Sequence, residues 1–285
     1  MIALKLALLG DPVEHSLSPR LHRLALDRLG IAGAYEAFRA PPAELSEKVR
    51  ALRREDYRGF NLTRPHKESI LPLLDAVEPL ARALGAVNTV TLENGRLLGA
   101  NTDAEGLWRA LALAEDSLAS SRALLVGAGG AARGVLGALA LAGVARLHWL
   151  NRDLERVRRL ADAPPKLDRL PAILPGPLDA ATLRAAFDDG VRLVINATPL
   201  GLSDWDPSPL PAALWPERGG LAVDLAYGRA PSAFLREAAA AGWRTLDGLP
   251  MLVQQGLLSL ERWTGQPDLS ALAAPLLLEL RSALR

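Results

Sequence analysis

The side chains best able to move a proton lie in one segment, Gly59-Phe60-Asn61-Leu62-Thr63-Arg64-Pro65-His66-Lys67. Thr63 is a candidate N-cap, and Pro65 suits the first turn of a helix expected to run to about Leu74. Lys67 then falls in the first turn, where the helix dipole opposes a cation. A local choice that costs stability marks a working site, and a lysine there suits acid–base chemistry. A neighbouring carboxylate would hold its ammonium in place, and Asp103 is the candidate. A merely exposed lysine is the competing reading. Asn61 and Thr63 are two apart on an expected strand, so both point to one face. Ser16 and Ser18, in His15-Ser16-Leu17-Ser18-Pro19, repeat that spacing. Two such pairs at strand ends suit a substrate rich in hydroxyls or carrying a carboxylate. A helix cap at Ser18 and a turn at Ser16 are the simpler alternatives. The four histidines show no metal-ligand spacing, so no metal is expected.

A second motif binds rather than reacts. Gly127-Ala128-Gly129-Gly130-Ala131-Ala132 fits G-x-G-x-x-[GA], follows an expected strand Ala123 to Val126, and opens a helix from about Ala131 to Leu141. Gly127 permits the tight turn, Gly129 lets the backbone approach a pyrophosphate, and Ala132 packs helix on strand. The helix N-terminus supplies free N–H groups to the phosphates. The next strand, Leu147 to Leu150, ends in Asn151-Arg152-Asp153 with Arg156 one turn later. Arg152 and Arg156 suit a 2′-phosphate, favouring NADP. Asp153 would repel that phosphate. The alternative is an ordinary helix start with Asp153 as a stabilising first-turn acid.

Elements must position these residues. Strands are expected at Ala3 to Leu9, Tyr35 to Arg39 and Phe60 to Thr63, alternating with helices Pro19 to Leu29 (capped by Ser18, ended by Gly30) and Ala43 to Arg53. Such alternation implies crossover connections and a mostly parallel sheet. Asn94-Gly95 between Val87–Thr91 and Leu97–Asn101 signals a hairpin. Its register gathers Asn88, Asn101 and Asp103 at one end. A helix Gly106 to Leu113 follows directly. Strands recur at Leu193 to Asn196 and Leu221 to Leu225, and helices at about 251 to 263 and 272 to 284. Pro164, Pro165, Pro171, Pro175 and Pro177 make the intervening stretch read as loop.

Composition excludes several classes. The chain has 285 residues, enough for two domains. Without cysteine there are no disulfides, zinc-thiolate sites or catalytic thiols. A net charge of +1 with dispersed Lys and Arg argues against nucleic acid. The basic run Arg156 to Arg159, broken by Val157, reads as a solvated helix face. No run of about 18 apolar residues suggests a membrane span. Ile2 to Leu9, interrupted by Lys5, reads as a buried first strand rather than a signal core. A cytoplasmic setting is expected by default.

Together these residues resemble the shikimate dehydrogenase family over nearly the whole chain. The resemblance runs through Gly10-Asp11-Pro12-Val13, the serine segment, Gly59 to Lys67, Gly85-Ala86-Val87-Asn88-Thr89 and Gly99-Ala100-Asn101-Thr102-Asp103. It continues through the glycine loop, Asn151-Arg152, Asn196-Ala197-Thr198-Pro199-Leu200-Gly201, Asp224-Leu225-Ala226-Tyr227 and Gly248-Leu249-Pro250-Met251-Leu252-Val253-Gln254-Gln255. The Asn-x-Thr-x-Pro-x-Lys and Asn-Thr-Asp segments are the specific part. The glycine loop is common to many dehydrogenases.

The resemblance implies reversible, NADPH-dependent reduction of 3-dehydroshikimate to shikimate, on the route to aromatic amino acids. It implies an α/β fold of two domains: a substrate domain with a mostly parallel sheet, residues 1–103 plus 250–285, and a Rossmann domain, residues 104–249. It assigns Lys67 and Asp103 as the catalytic pair, and Ser16, Ser18, Asn61, Thr63, Asn88, Tyr227 and Gln255 as substrate ligands. NADP(H) falls to Gly127, Ala128, Gly129, Gly130, Ala131, Asn151, Arg152, Arg156, Thr198, Leu225 and Gly248. Asp153, where NADP-specific members often carry Thr, and Pro250, where Gly is frequent, depart from the pattern. The partners implied are small molecules, with no nucleic acid or membrane, in a monomer or homodimer. Two other readings are a quinate/shikimate dehydrogenase with relaxed NAD(P) use and a non-catalytic NADP-binding sensor. The sensor would be expected to lack the lysine–aspartate pair, which this chain retains.

Overall fold

The computed structural model describes residues 3–115, 117–200, 205–217 and 219–284. Ile2 of the expected first strand and Gly201 of the Asn-Ala-Thr-Pro-Leu-Gly segment lie outside them. The chain divides into two compact units, Met1–Gly106 with Leu252–Ala283, and Leu107–Met251 with Leu284–Arg285.

In chain order the first part forms β1 (Leu4–Gly10), α1 (Ser18–Leu29), β2 (Gly33–Arg39), α2 (Leu45–Arg54), β3 (Gly59–Leu62) and α3 (His66–Ser69). Then come β4 (Ala76–Val77), α4 (Pro79–Leu84), β5 (Thr89–Glu93), β6 (Arg96–Ala100) and α5 (Thr102–Ala114). The strands order as β2-β1-β3-β5-β6-β4. β1 runs parallel to β2 and β3, and the β5–β6 hairpin is antiparallel. Glu93 faces Arg96 and Thr89 faces Ala100, the register expected for a two-residue Asn-Gly loop. A core of Leu9, Leu52, Phe60, Ile70 and Val90 fills one face of this sheet.

The second part forms β7 (Arg122–Val126), α6 (Gly130–Leu141), β8 (Arg146–Asn151), α7 (Leu154–Asp162), β9 (Ala172–Pro177) and α8 (Ala180–Asp188). It continues with β10 (Leu193–Asn196), β11 (Leu221–Asp224), α9 (Ala233–Ala240) and β12 (Arg244–Leu246). Two long helices follow, α10 (Leu249–Thr264) and α11 (Ala273–Ala283). All strands of this sheet are parallel, in the order β12-β11-β10-β7-β8-β9. That is the doubly wound dinucleotide-binding order, with a switch point between β7 and β10. Ala123 and Leu125 enter one core, while Leu124 and Val126 enter the other. A strand covered on both faces must be apolar throughout, and β7 is.

Several local expectations are corrected. Ser18 does not cap α1: the cap position is Leu17, with no side-chain bond, and the Ser18 N–H is satisfied by Ser16 Oγ at 3.2 Å. The helix carrying Lys67 does not continue to Leu74. It is the single turn α3, followed by a 3₁₀ turn at Leu71–Leu73, and Thr63 contributes its backbone carbonyl rather than its side chain. The proline-rich stretch holds a strand, β9, which pairs with β8 at the end of the strand order among the described residues. An edge position tolerates the missing N–H groups of Pro175 and Pro177.

Candidate active site

In the first unit, Lys67 Nζ lies 2.7 Å from Asp103 Oδ2, with both side chains mostly buried. The two residues are brought together from opposite local structures. Lys67 rides the single turn α3, which follows β3. That turn is tied down by the Lys67 carbonyl, which accepts the Val87 N–H at 2.8 Å. It is also held by buried His66, whose Nε2–H donates to the Ala40 carbonyl. Asp103 sits in the first turn of α5, where an anion is favoured. Asn101 caps that helix, accepting the Ala104 N–H at 3.1 Å and donating to the Ala86 carbonyl at 2.9 Å. This cap starts α5 four residues earlier than Gly106, the expected start.

Asn88 connects the hairpin to the acid. Its Nδ2 donates to Asp103 Oδ1 at 2.9 Å, and its Oδ1 accepts the Thr102 N–H at 2.7 Å. Gln255 Oε1 is 3.3 Å from Asn88 Nδ2. Lys67, Asp103, Asn88 and Gln255 therefore form one cluster. Asn61 is buried differently, with both ends of its amide engaged inside the protein. Oδ1 accepts Tyr35 OH at 2.8 Å and lies 3.3 Å from His22 Nε2. Nδ2 is 3.0 Å from the Asn88 carbonyl, Thr89 Oγ1 and Ser259 Oγ. Ser18 reaches the same group through a hydrogen bond with Tyr35, whose hydroxyl burial pushes far above the usual phenol range. His22 is enclosed by Tyr35 and Trp263, and burial lowers its pKa to about 3. Thr63 is half-buried at the end of β3, its methyl close to Gly10. Ser16 folds onto its own turn.

In the second unit, the glycine turn joins β7 to α6. Gly127 has φ +109°, a backbone state that disfavours any side chain. A Cβ there would also come within 2.9 Å of the Ala197 carbonyl at the end of β10. Trp149 Nε1–H donates to the Gly127 carbonyl at 2.8 Å and fixes the turn from below. At Gly129 and Gly130 a Cβ would meet no protein atom within 4 Å, so the turn is open outward. It borders a cavity of about 350 Å³ lined also by Asn151, Arg152, Asp153, Arg156 and Thr198. Asp153 caps α7, accepting the Arg156 N–H at 3.1 Å, which corrects its expected first-turn place. Val157 is the buried residue of the basic run, and Arg156, Arg158 and Arg159 are exposed.

The loop after β10 is held by a buried carboxylate. Asn196 donates to Asp224 Oδ1 at 3.1 Å and accepts both the N–H and the hydroxyl of Thr198 at 3.0 and 2.6 Å. Desolvation pushes the Asp224 pKa up, against the hydrogen bonds from Ser232, Ala226 and Asn196. Gly248 packs so near the Leu225 carbonyl that a Cβ would lie 2.1 Å from it. Tyr227, half-buried, belongs to this unit.

Reading residues alone missed Tyr35, His22, His66, Thr89, Thr102 and Ser259. Ser259 was accessible in principle, since it lies four after Gln255 and so shares its helix face. Among the described residues no cluster of acids and histidines suits a metal, and no helix is long and apolar enough to cross a membrane.

The doubly wound sheet, its glycine turn and the arginine-lined cavity define an α/β protein of the dinucleotide-binding class. Comparison with known proteins narrows this. The shikimate dehydrogenase substrate binding domain matches residues 8–90, and the shikimate 5'-dehydrogenase C-terminal domain matches residues 248–267. Shikimate dehydrogenase (NADP(+)) of Thermus thermophilus is 46% identical over 94% of this chain and 96% of its own. The Moorella thermoacetica enzyme of that name is 42% identical over 91% and 88%. A crystal structure of the Thermus thermophilus enzyme in complex with NADP(H) and shikimate superposes with a TM-score of 0.85. It is 42% identical and covers 99% of this chain and 100% of that one. The chain belongs to the shikimate dehydrogenase family.

Proposed function

We propose that this chain catalyses the reversible NADPH-dependent reduction of 3-dehydroshikimate to shikimate, with Lys67 as the acid–base group and Asp103 as its partner. The observation that carries the reading is the 2.7 Å Lys67–Asp103 contact in a buried polar cluster. The homologous enzymes named shikimate dehydrogenase (NADP(+)) support the substrate and the cofactor. When bound, NADPH supplies the hydride that reduces the carbonyl carbon. Gly127 to Ala131 would receive its pyrophosphate, with Thr198, Leu225 and Gly248 as further contacts. Asn151, Arg152 and Arg156 would take the ribose 2′-phosphate. The open space beyond Gly129 and Gly130 and the adjoining cavity fit that group.

Lys67 protonates the developing alkoxide in the reductive direction and accepts the hydroxyl proton in the other. Asp103 holds the ammonium and keeps an oxygen close to substrate. Ser16, Ser18, Thr63, Asn88, Tyr227 and Gln255 are assigned to substrate carboxylate and hydroxyls. Asn61 is assigned to the same substrate groups. Residues 1–103 with 250–285 are assigned to substrate and residues 104–249 to the dinucleotide. A cytoplasmic monomer or homodimer fits this role.

General acid catalysis contributes roughly 10² to 10⁴ in rate. Lys67→Ala therefore lowers kcat by at least roughly a hundredfold with little change in substrate KM. A near-normal kcat would remove Lys67 from the role. The first assay is the absorbance change at the nicotinamide band with shikimate and NADP+. No change there favours the sensor reading. Turnover on quinate against shikimate, with both cofactors, separates the broader dehydrogenase.

A further inference from the structure

Behind Asn88 lies a group of buried hydroxyls that the proposed chemistry does not use. Thr89, Thr102 and Ser259 are fully buried. Asn88 Nδ2 is 2.9 Å from Thr102 Oγ1, Thr102 Oγ1 is 3.0 Å from Thr89 Oγ1, and Thr89 Oγ1 is 2.8 Å from Ser259 Oγ. Ser259 Oγ is 2.9 Å from the Gln255 carbonyl.

The direction of these bonds follows from what each group can do. A carbonyl only accepts, so the Ser259 hydrogen goes to Gln255 and its oxygen faces the other two hydroxyls as an acceptor. Thr89 then donates to Ser259, and Thr102 donates to Thr89. The oxygen of Thr102 is left to accept from Asn88. The competing acceptors are farther away: Asn88 Oδ1 is 3.2 and 3.3 Å from the Thr102 and Thr89 hydroxyls and already takes the Thr102 N–H at 2.7 Å, and Ser259 Oγ is 3.2 Å from Thr102 Oγ1, against 3.0 Å for Thr89. The two hydrogens of the Asn61 amide are shared among the Asn88 carbonyl, Thr89 and Ser259, each at 3.0 Å, so this group adds donors and no competing acceptor. Each hydroxyl hydrogen thus has one acceptor, in a line running from Asn88 to the α10 backbone.

This order matters because Asn88 is the group that holds Asp103 on the side away from Lys67. If its amide were turned over, an oxygen would face the carboxylate and an NH₂ would face the Thr102 N–H. Both contacts would be repulsive, and neither group could recover water in the buried site.

We propose that Thr102, Thr89 and Ser259 are positioning residues that act as one directional hydroxyl chain, fixing the Asn88 amide and through it the Asp103 carboxylate. The inference rests on the reading of Lys67 and Asp103 as the catalytic pair.

The test pairs shape with chemistry. Thr89→Val keeps the volume and removes the hydroxyl, while Thr89→Ser keeps the hydroxyl and removes a methyl. The expected result is a kcat about tenfold lower for Thr89→Val, a kcat within about twofold of wild type for Thr89→Ser, and an unchanged KM for NADPH in both. Ser259→Ala matches Thr89→Val, and the double variant falls no further than the worse single, because one chain is broken only once. The Ser259 variant also carries the test should Thr89→Val fail to fold. The proposal is overturned if Thr89→Val or Ser259→Ala retains normal kcat, if Thr89→Ser loses as much as Thr89→Val, or if the two losses multiply. Lys67→Ala, measured alongside, separates the two readings. Its loss of activity beside a normal Thr89→Val sinks only the chain, whereas normal activity in both sinks the catalytic pair.

Discussion

At the residue scale, Asp153 does two things at once. Its carboxylate caps α7, and it lines the cavity beside Arg152 and Arg156, where its charge opposes a phosphate. Asp153→Ser keeps an oxygen for the cap and removes the charge. A unit charge at 4 Å in water is worth about 1 kcal/mol, so the NADPH over NADH ratio of kcat/KM values should rise roughly fivefold. Arg152→Ala should erode the same ratio, and an unchanged ratio would exclude Arg152 from the 2′-phosphate.

His22 offers a prediction about stability. Burial lowers its pKa from 6.5 to about 3, so the folded protein keeps it neutral where the unfolded chain would bind a proton. The stability contributed by a depressed base is full above pH 6.5 and is lost as pH falls toward 3. The slope over most of that window approaches about 1.4 kcal/mol per pH unit. Urea unfolding at pH 7 and pH 4.5 should show a steeper loss for wild type than for His22→Gln. Equal losses would mean that His22 is not the group responsible.

At the element scale, the start of α5 sets the position of Asp103. Asn101 gives that helix its cap, and replacing such a cap by alanine costs about 1 kcal/mol. Asn101→Ala should therefore lower stability by that amount and also reduce kcat, since the first turn carries the acid. Denaturant midpoints and turnover measured together check the pair of effects. The glycine turn is stricter. Gly127→Ala puts a Cβ on a residue at φ +109° and against the Ala197 carbonyl. NADP+ binding, followed by quenching of tryptophan fluorescence, should be lost in that variant even if the fold survives.

Some of these elements were legible in the sequence. The hairpin was, because Asn94-Gly95 dictates both turn and register. The glycine turn was, because strand, turn and helix each carry their own signal. β9 was not, because an edge strand tolerates the prolines that otherwise signal a loop. The shortness of α3 was not, because Leu71 to Leu74 continue an apolar pattern after the α-helical bonds have ended.

At the scale of the whole molecule, two units each bury their own core. Each should respond to its own ligand. A ligand at a hundredfold excess over its Kd stabilises the state it binds by about 2.7 kcal/mol. In calorimetry, NADP+ should raise the transition of the unit holding the glycine turn. Shikimate should raise that of the unit holding Lys67 and Asp103. A shift of the Lys67 unit alone on adding NADP+ would contradict the assignment of residues 104–249 to the dinucleotide.

What the sequence determined by itself was the chemistry on offer: a dinucleotide turn, an arginine pair beside it, a lysine, an aspartate and a set of short polar side chains. Periodicity and turn residues are local, so they set the hairpin register and the strand–turn–helix unit of the glycine loop without any tertiary information. The tertiary structure alone decided which polar groups bond to one another inside the protein. The spacing of Asn61 and Thr63 sets only the face they share, whereas the partners of the Asn61 amide, Tyr35, His22, Thr89 and Ser259, come from distant segments. Burial leaves a polar group no water to bond, so its partners must come from whatever the fold packs against it. That choice depends on the assembled core rather than on residue spacing along the chain.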